Sequence, residues 1–442
     1  MLIEGEMRRA LPVVETLMSG GYEAVFVGGC VRDTWMGRKL KDIDIATSAT
    51  PEQVMALFPH HIPTGLAHGT ITVMLGGVAY EVTTYRKESA YEQFRRPSEV
   101  EFVTDLEADL LRRDFTINAM ALRADGTLVD PFGGAADLAQ GILRCVGEAD
   151  ARFQEDALRM VRAVRFAAEF QLRIALGTWR ALRRHAHLLT HVAMERVGAE
   201  ADKMMGGSDP KRAAVLFARS GLLEHTKQAL PASVRDAAHR LDAAELLLSG
   251  HSDGTRGTEH TELQWLLLSI SIGMPPNETE NLFDALRFST KRTSSLAAVM
   301  RMWERMKGIT ADGQASGTSA EADMLYRQWI EAILEEGMPA ASLLIEALKA
   351  IDHKRAVPSK TSWLPAGQLE QWMKELPVTN LRDLAVKGSD LMRELRKPSG
   401  PWLGNLLKQL VHDAAYRKVE NNQAALISRG IDYMRERESE TR

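Results

Sequence analysis

The sequence predicts an α+β protein, a small mixed-sheet head followed by an all-α remainder. Three observations lead there. Short apolar and alternating runs, separated by tight-turn signals, crowd the first 140 residues. Within them, residues 28–44 run from two glycines into a helix start and on to an alternating strand. From Ala136 onward strand signals nearly vanish and helical periodicity takes over.

Taken in order, residues 3–19 read as an amphipathic helix interrupted near Pro12. Ala24-Val25-Phe26-Val27 is a short buried strand. Gly28 and Gly29 follow directly. Without Cβ atoms they let backbone N–H groups approach a ligand where a helix should start, and Arg32 sits one turn into it. In Asp42-Ile43-Asp44-Ile45 a period of two puts both aspartates on one face. A phosphate cradle feeding paired carboxylates suits magnesium and a nucleotide. The hard cation takes carboxylate oxygens and keeps waters and phosphates as its other ligands. A lone Gly-Gly is a turn and a lone Asp-x-Asp a solvated strand edge; the order and spacing of the two together carry the reading.

Thr50 and Pro51 then open a helix as cap and first residue. Residues 70–75 and 78–85 are strands joined by Gly76-Gly77, a hairpin signal. Glu81 shares a face with Ala79 and Thr83, and taken alone is a surface carboxylate. Residues 86–100 break the regularity and read as a solvated loop or short helix, charged and carrying two aromatics. In Arg112-Arg113-Asp114-Phe115-Thr116-Ile117-Asn118 the aspartate can cap a following helix, with Arg113 and Asn118 as polar groups on an apolar background. Asp130-Pro131-Phe132-Gly133-Gly134 is a turn and helix start.

Residues 154–170 form a strong helix with the apolar stripe Leu158, Val161, Val164 and Ala168. Asp156 and Arg159 lie three apart on another face, which by itself describes an ion pair worth about 0.2–0.5 kcal/mol. A second reading is chemical. Cytosine and adenine both show an amino donor beside a ring-nitrogen acceptor, whereas uracil and guanine show a carbonyl and an N–H. Aspartate only accepts and arginine only donates, so one such pair takes C or A and mismatches U and G. Arg196 and Glu200, four apart, pair on a later helix. Residues 206–210, 250–257 and 311–319 read as linkers.

At 442 residues the chain has room for about three domains. It carries 45% hydrophobic and 26% charged residues, no signal peptide and no apolar run of membrane-spanning length. Two cysteines give neither a disulfide framework nor a zinc spacing, which fits a reducing cytoplasm. A net charge of −4 argues against a generic nucleic-acid coat protein but leaves room for a local basic face.

Gly28-Gly29-x-x-Arg32-Asp33 followed by Asp42-x-Asp44 resembles the signature of the polymerase-β-type nucleotidyltransferases. More closely, it resembles the bacterial class II tRNA nucleotidyltransferases, or CCA-adding enzymes, and their sister poly(A) polymerases. Arg112-Arg113-Asp114-Phe115-Thr116-x-Asn118 and Glu155-Asp156-x-x-Arg159 match further blocks of that family. The resemblance implies a catalytic head over 1–140, a base-reading neck over 141–205, a helical body over 206–310 and a tRNA-binding tail over 311–442. It implies Mg2+ on Asp42 and Asp44, with Glu81 as a third acid that activates the attacking hydroxyl or supports the metal. Gly28, Gly29, Arg32, Arg113 and Asn118 would meet phosphate and ribose, and Asp156, Arg159, Arg162 and Arg165 would complete the nucleotide site. Glu155, Arg196 and Glu200 would orient the reading arginine. Arg86, Tyr91, Arg95 and Arg96 would belong to a flexible loop that helps the site accept ATP after CTP, and residues 130–134 to a spring between head and neck.

The implied activity is addition of C, C and A to the 3′ end of tRNA from CTP and ATP, with no membrane and no obligatory protein partner. A poly(A) polymerase, a CC-only or A-only relative, and a non-catalytic RNA scaffold are the rivals. Past residue 207 no catalytic constellation stands out; Lys387, Arg393 and Lys408 are among cations that could track an RNA backbone.

Overall fold

The computed structural model describes residues 2–92, 96–240, 246–248, 257–312, 319–354 and 366–440. The chain divides into two compact units. One comprises Met1–Ala244, Ser249–Gly257 and Ala285–Arg287; the other comprises Glu245–Leu248, Thr258–Asp284 and Phe288–Arg442.

The first unit opens with helix α1 (Gly5–Ser19), which buries Met7, Ala10, Val13, Val14 and Leu17 along one stripe. The expected interruption near Pro12 does not occur. Pro12 withholds one backbone hydrogen bond, and the buried stripe outweighs that loss. Then come β1 (Ala24–Val27), α2 (Gly29–Trp35), β2 (Asp44–Thr47), α3 (Pro51–Leu57), β3 (His61–Gly65), β4 (Thr70–Leu75) and β5 (Val78–Thr84). Thr50 and Gln53 close a capping box on α3. Gly76 and Gly77, with φ of 57° and 80°, make the tight β4–β5 turn, which requires two left-handed residues.

β2 begins at Asp44, so Asp42 lies just before the strand rather than in it. The alternation survives: Ile43 and Ile45 are buried while Asp42 is exposed. Residues 86–100 are neither loop nor short helix. Strands β6 (Arg86–Glu92) and β7 (Arg96–Phe102) form a two-stranded antiparallel ribbon with Tyr91 opposite Pro97 and Glu92 opposite Arg96. Arg95 lies outside the described residues.

After α4 (Leu106–Leu111), the helix expected beyond Asp114 is one 3-10 turn, Thr116–Asn118. It runs into β8 (Ala121–Leu122), and β9 (Leu128–Val129) follows. The main sheet has the order β3-β4-β5-β2-β1-β8-β9. Its central pairs matter for the site: Val27 faces Asp44 across antiparallel β1–β2, and Asp44 faces Glu81 across parallel β2–β5. Phe26, Ile45, Ile71 and Val82 pack one side of the sheet with α1; Val25, Val27, Ala46 and Tyr85 pack the other with Leu106 and Leu110 of α4.

Helix α5 (Gly134–Ala139) and the two-residue strand β10 (Ile142–Leu143) lead into α6 (Ala149–Glu155) and α7 (Leu158–Glu169). The continuous helix expected over 154–170 is therefore broken. Asp156 is extended (φ −139°, ψ 104°), and its carboxylate accepts the Leu158 N–H at 3.0 Å. An aspartate competes for backbone donors in this way and favours a helix start over an interior. Next are β11 (Arg173–Ile174), α8 (Leu176–His185), α9 (Met194–Met205), α10 (Pro210–Ser220) and α11 (Ala232–Arg240). Residues 206–210, expected as a linker, make a tight turn in which Asp209 caps α10.

The second unit has helices joined by turns and no strand among its described residues. It includes α12 (Thr258–Ser271), most of α13 (Pro276–Ala285), α14 (Thr290–Asp312), α15 (Ser319–Glu336), α16 (Met338–Lys354), α17 (Ala366–Lys374), α18 (Gly388–Leu395), α19 (Pro401–Ala415) and α20 (Gln423–Glu440). Trp329 is fully buried and donates to the Leu369 carbonyl. Val378, Leu391, Leu406, Leu410 and Leu426 form a core beside it in sequence. Most of the expected linkers at 250–257 and 311–319 falls outside the described residues. Among the described residues no helix is long and apolar enough to cross a membrane.

Candidate active site

The site starts where β1 ends. Gly28 has φ +69° and ψ −127°, a conformation suited to glycine, and a Cβ there would stand 3.1 Å from Arg113 Nη1 and 3.6 Å from Asp44 Oδ2. The loop is thus wedged between a guanidinium and a carboxylate. Cys30 donates its thiol toward the Val27 and Asp44 carbonyls, and burial pushes that thiol up to about 12, so it packs rather than reacts.

Arg32 is 8% exposed and fixed from three sides. Nη1 donates to Asn118 Oδ1 at 2.5 Å, Nε and Nη2 grip Asp33, and the guanidinium lies 4.3 Å above the Phe170 ring. Asn118 in turn donates to Asp114 Oδ1 at 3.0 Å, and Arg162 donates to Asp114 Oδ2 at 2.8 Å. Burial opposes the Asp114 charge, but Arg162, Asn118 and Arg159 outweigh it and hold the carboxyl at about 2. Asp114 therefore organises the site; it does not cap a helix.

Asp42 and Asp44 face one cavity of about 620 Å³ together with Gly28, Gly29, Arg32, Arg113, Asn118, Asp156, Arg159, Arg162 and Arg165. Every expected nucleotide-binding residue lines it. Arg112, Asp114, Leu158, Phe166 and Arg196 line it as well. Among the described residues its wall carries seven arginines against four aspartates, a surplus of positive charge that suits a polyphosphate. The Arg113 Nε is buried there without a hydrogen-bond partner, a donor that a phosphate oxygen would satisfy.

A second cavity, about 590 Å³, shares Asp42 and Asp44 and adds Glu81, Arg9, Lys41, Thr72 and Tyr80. The paired acids thus border two spaces. Burial, then the charge of Glu81, raises the Asp44 carboxyl above its usual range, and Arg113 opposes them. Among the described residues no three His, Cys, Asp or Glu side chains converge into a cage. Magnesium needs no such cage, since one or two carboxylates plus substrate phosphates suffice, and this donor set fits it.

On α7, Arg159 is 8% exposed and donates to Glu155 at 2.7 Å and to the Arg112 carbonyl at 2.8 Å. Asp156 takes Arg196 at 2.8 Å. The expected Arg196–Glu200 pair is not formed. Glu200, 3% exposed, takes Arg165 and Lys203 instead. Both residues are claimed by groups beyond their own turn, because a buried carboxylate is tolerable only beside a fixed cation. Of the three expected supports, Glu155 alone touches Arg159.

Sequence reasoning missed Phe166. Arg32, Arg162 and Arg165 gather over its ring at 5.5, 5.1 and 4.0 Å. It sits off the Leu158-Val161-Val164 stripe and four residues from Arg162, a spacing that could have marked it. Of the expected loop residues, Arg86 holds the His68 carbonyl and roots the β6–β7 ribbon.

Residues 24–144 match the Poly A polymerase head domain, residues 171–232 the RNA and SrmB-binding site of polymerase A, and residues 257–429 domain 2 of tRNA nucleotidyltransferase. The chain is similar to the CCA-adding enzyme of Anoxybacillus flavithermus, with 35% identity over 95% of this chain and 96% of the relative. It is 36% identical to that of Levilactobacillus brevis over 97% and 98% of the two chains. A crystal structure of the Bacillus stearothermophilus CCA-adding enzyme in complex with CTP superposes with a TM-score of 0.77, at 32% identity, over 99% of this chain and 100% of the other.

Proposed function

The chain belongs to the CCA-adding enzyme family, and on that premise we propose that it adds C, C and A to the 3′ end of tRNA from CTP and ATP, without a nucleic-acid template. The observation that carries this reading is the placing of Asp42 and Asp44 between an arginine-rich cavity and a second one. A nucleoside triphosphate fits the first, and the RNA terminus, with its hydroxyl near Glu81, fits the second.

Gly28 and Gly29 give the triphosphate close access to backbone; Arg32 and Arg113 neutralise it, and Asn118 serves the ribose. Asp42 and Asp44 would hold magnesium, two ions in the fullest form of the reading, which when bound stabilises charge on the attacking and leaving oxygens. Glu81 is the acceptor for the proton of the attacking 3′ hydroxyl, or a support for the metal. Pyrophosphate leaves on the arginine side. Base choice falls to Asp156, an acceptor held by Arg196, and Arg159, a donor held by Glu155. Because the two are anchored separately, each keeps its place when the other is changed. Arg162 and Arg165 complete the wall. We assign residues 1–140 to a catalytic head, 141–205 to a neck, and 206–310 and 311–442 to a body and tail that grip tRNA by shape and backbone.

The test uses tRNA ending at the discriminator base, with CTP and ATP supplied singly and together. Growth by C-C-A followed by a halt is the expected result. A long A tail would make the protein a poly(A) polymerase, a halt after two C a CC-only relative, and no growth a scaffold. Asp42→Ala or Asp44→Ala should cost about 4 kcal/mol of transition-state stabilisation, roughly a 10³-fold loss in rate, while tRNA still binds. Full-speed extension by either variant would overturn the assignment.

A further inference from the structure

Asp109, on α4, is fully buried and lines neither cavity, yet three groups meet on its carboxylate. Oδ1 accepts from Arg112 Nε at 2.9 Å and Nη2 at 2.7 Å, and from the Arg86 backbone N–H at 3.2 Å. Oδ2 accepts from Arg113 Nη2 at 3.1 Å. The other terminal nitrogen of Arg113 is the one poised over Gly28. Arg86 is where the β6–β7 ribbon leaves the sheet: Tyr85 N–H is bound to the Thr47 carbonyl at 2.7 Å, and Val103 N–H to the Tyr85 carbonyl at 2.9 Å. The peptide after α4 reaches further, since the Arg112 carbonyl receives Arg159.

A buried carboxylate is costly unless paired. Burial works against ionisation of Asp109, but Arg113 and Arg112 outweigh it and keep it charged. Two oxygens taking four hydrogen bonds from three groups have little freedom, so Arg113 cannot swing without disturbing Arg86, and the reverse holds.

We propose that Asp109 is a positioning residue for nucleotidyl transfer: it sets the Arg113 guanidinium for the triphosphate and ties that setting to the root of the β6–β7 ribbon. This rests on the reading of Arg113 as a triphosphate ligand. Nothing assigned from sequence included Asp109, because its partners lie on two sides of it and only Arg112 and Arg113 are near in sequence.

The test is a double-mutant cycle in the full-length protein with tRNA and CTP. Asp109→Asn, which has one acceptor oxygen and no charge, should raise the KM for CTP about tenfold, as loss of an outer partner does, with the KM for tRNA unchanged. In an Arg113→Ala background the same change should add less than about twofold. A full multiplicative loss there would overturn the proposal and leave Asp109 a merely structural residue. An unchanged KM for CTP in Arg113→Ala alone would instead sink the parent reading. The second measurement is amide hydrogen exchange at Arg86. CTP should slow it in the unmodified protein but not in Asp109→Asn; no CTP effect in the unmodified protein would overturn the link to the ribbon. Asp109→Glu carries both tests if the asparagine variant does not fold.

Discussion

Asp114 accepts from its neighbour's backbone N–H, from the Asn118 amide and from Arg162, and it is 8% exposed. Its carboxyl is held at about 2, against an ordinary value of 3.8. A folded-state pKa below the unfolded one contributes stability that is fully present above the unfolded value and is lost as pH falls through the folded one. The window therefore runs from about pH 4 down to about pH 2. The depression corresponds to a contribution on the order of 2 kcal/mol at neutral pH. Asp114→Asn should be less stable to urea at pH 7 by about that free energy, and the gap from the unmodified protein should close as pH falls through the window. A gap independent of pH would show that the amide disturbs packing rather than charge. Asp114 lines the cavity and is linked through Asn118 to Arg32, so the same variant should also weaken CTP binding.

At the scale of the element, α5 abuts the Thr116–Asn118 turn that carries Asn118. Asp130 caps α5 by taking the Gly134 and Ala135 N–H groups at 2.7 and 2.9 Å. A Cβ on Gly134 would stand 2.2 Å from the Thr116 carbonyl oxygen and 2.9 Å from Met120 Cγ. Backbone cannot yield there cheaply, so Gly134→Ala should cost about 1–3 kcal/mol as overpacking and raise the KM for CTP by shifting Asn118. An unchanged melting temperature together with an unchanged KM would refute this. The same region shows what a sequence can disclose. The Asp130-Gly134 helix start and the Gly76-Gly77 turn were legible because the forces that make them act within five residues. The β6–β7 ribbon was not, because charge and Pro97 hide a ladder whose register is set across strands. The break at Asp156 was equally hidden. Its apolar spacing continues through the break, and the carboxylate that takes the Leu158 N–H is also held by Arg196, 40 residues away. Arg196 and Glu200 have helix-pair spacing, yet Glu200 takes the more buried Arg165 and Arg196 takes Asp156. Gly28, Gly29, Asp42 and Asp44 stand out in the sequence by type and spacing, while Arg113 and Asn118 were singled out through the family motif they belong to and Phe166, which belongs to none, was passed over.

Over the whole molecule the formal charge is −4, so binding of a large polyanion depends on where cations are placed rather than on their sum. The cavity arginines are engaged with carboxylates, as Arg113 is with Asp109 and Arg162 with Asp114, and in the proposed function they face the triphosphate. Grip on the body of tRNA must then come from exposed cations outside the site. In the second unit, Lys387 precedes α18 and Lys408 lies on α19, and both are exposed. Each phosphate contact releases counterions, so the logarithm of affinity falls with the logarithm of salt by about 0.7–0.9 per contact. Lys387→Glu and Lys408→Glu should each lower that slope by about one such step and raise the KM for tRNA, leaving the KM for CTP as it was. A lower slope with an unchanged CTP response separates tRNA gripping from nucleotide binding. An unchanged slope in both variants would take the RNA path away from these two lysines, and a raised KM for CTP would mean that the substitutions disturb more than RNA binding.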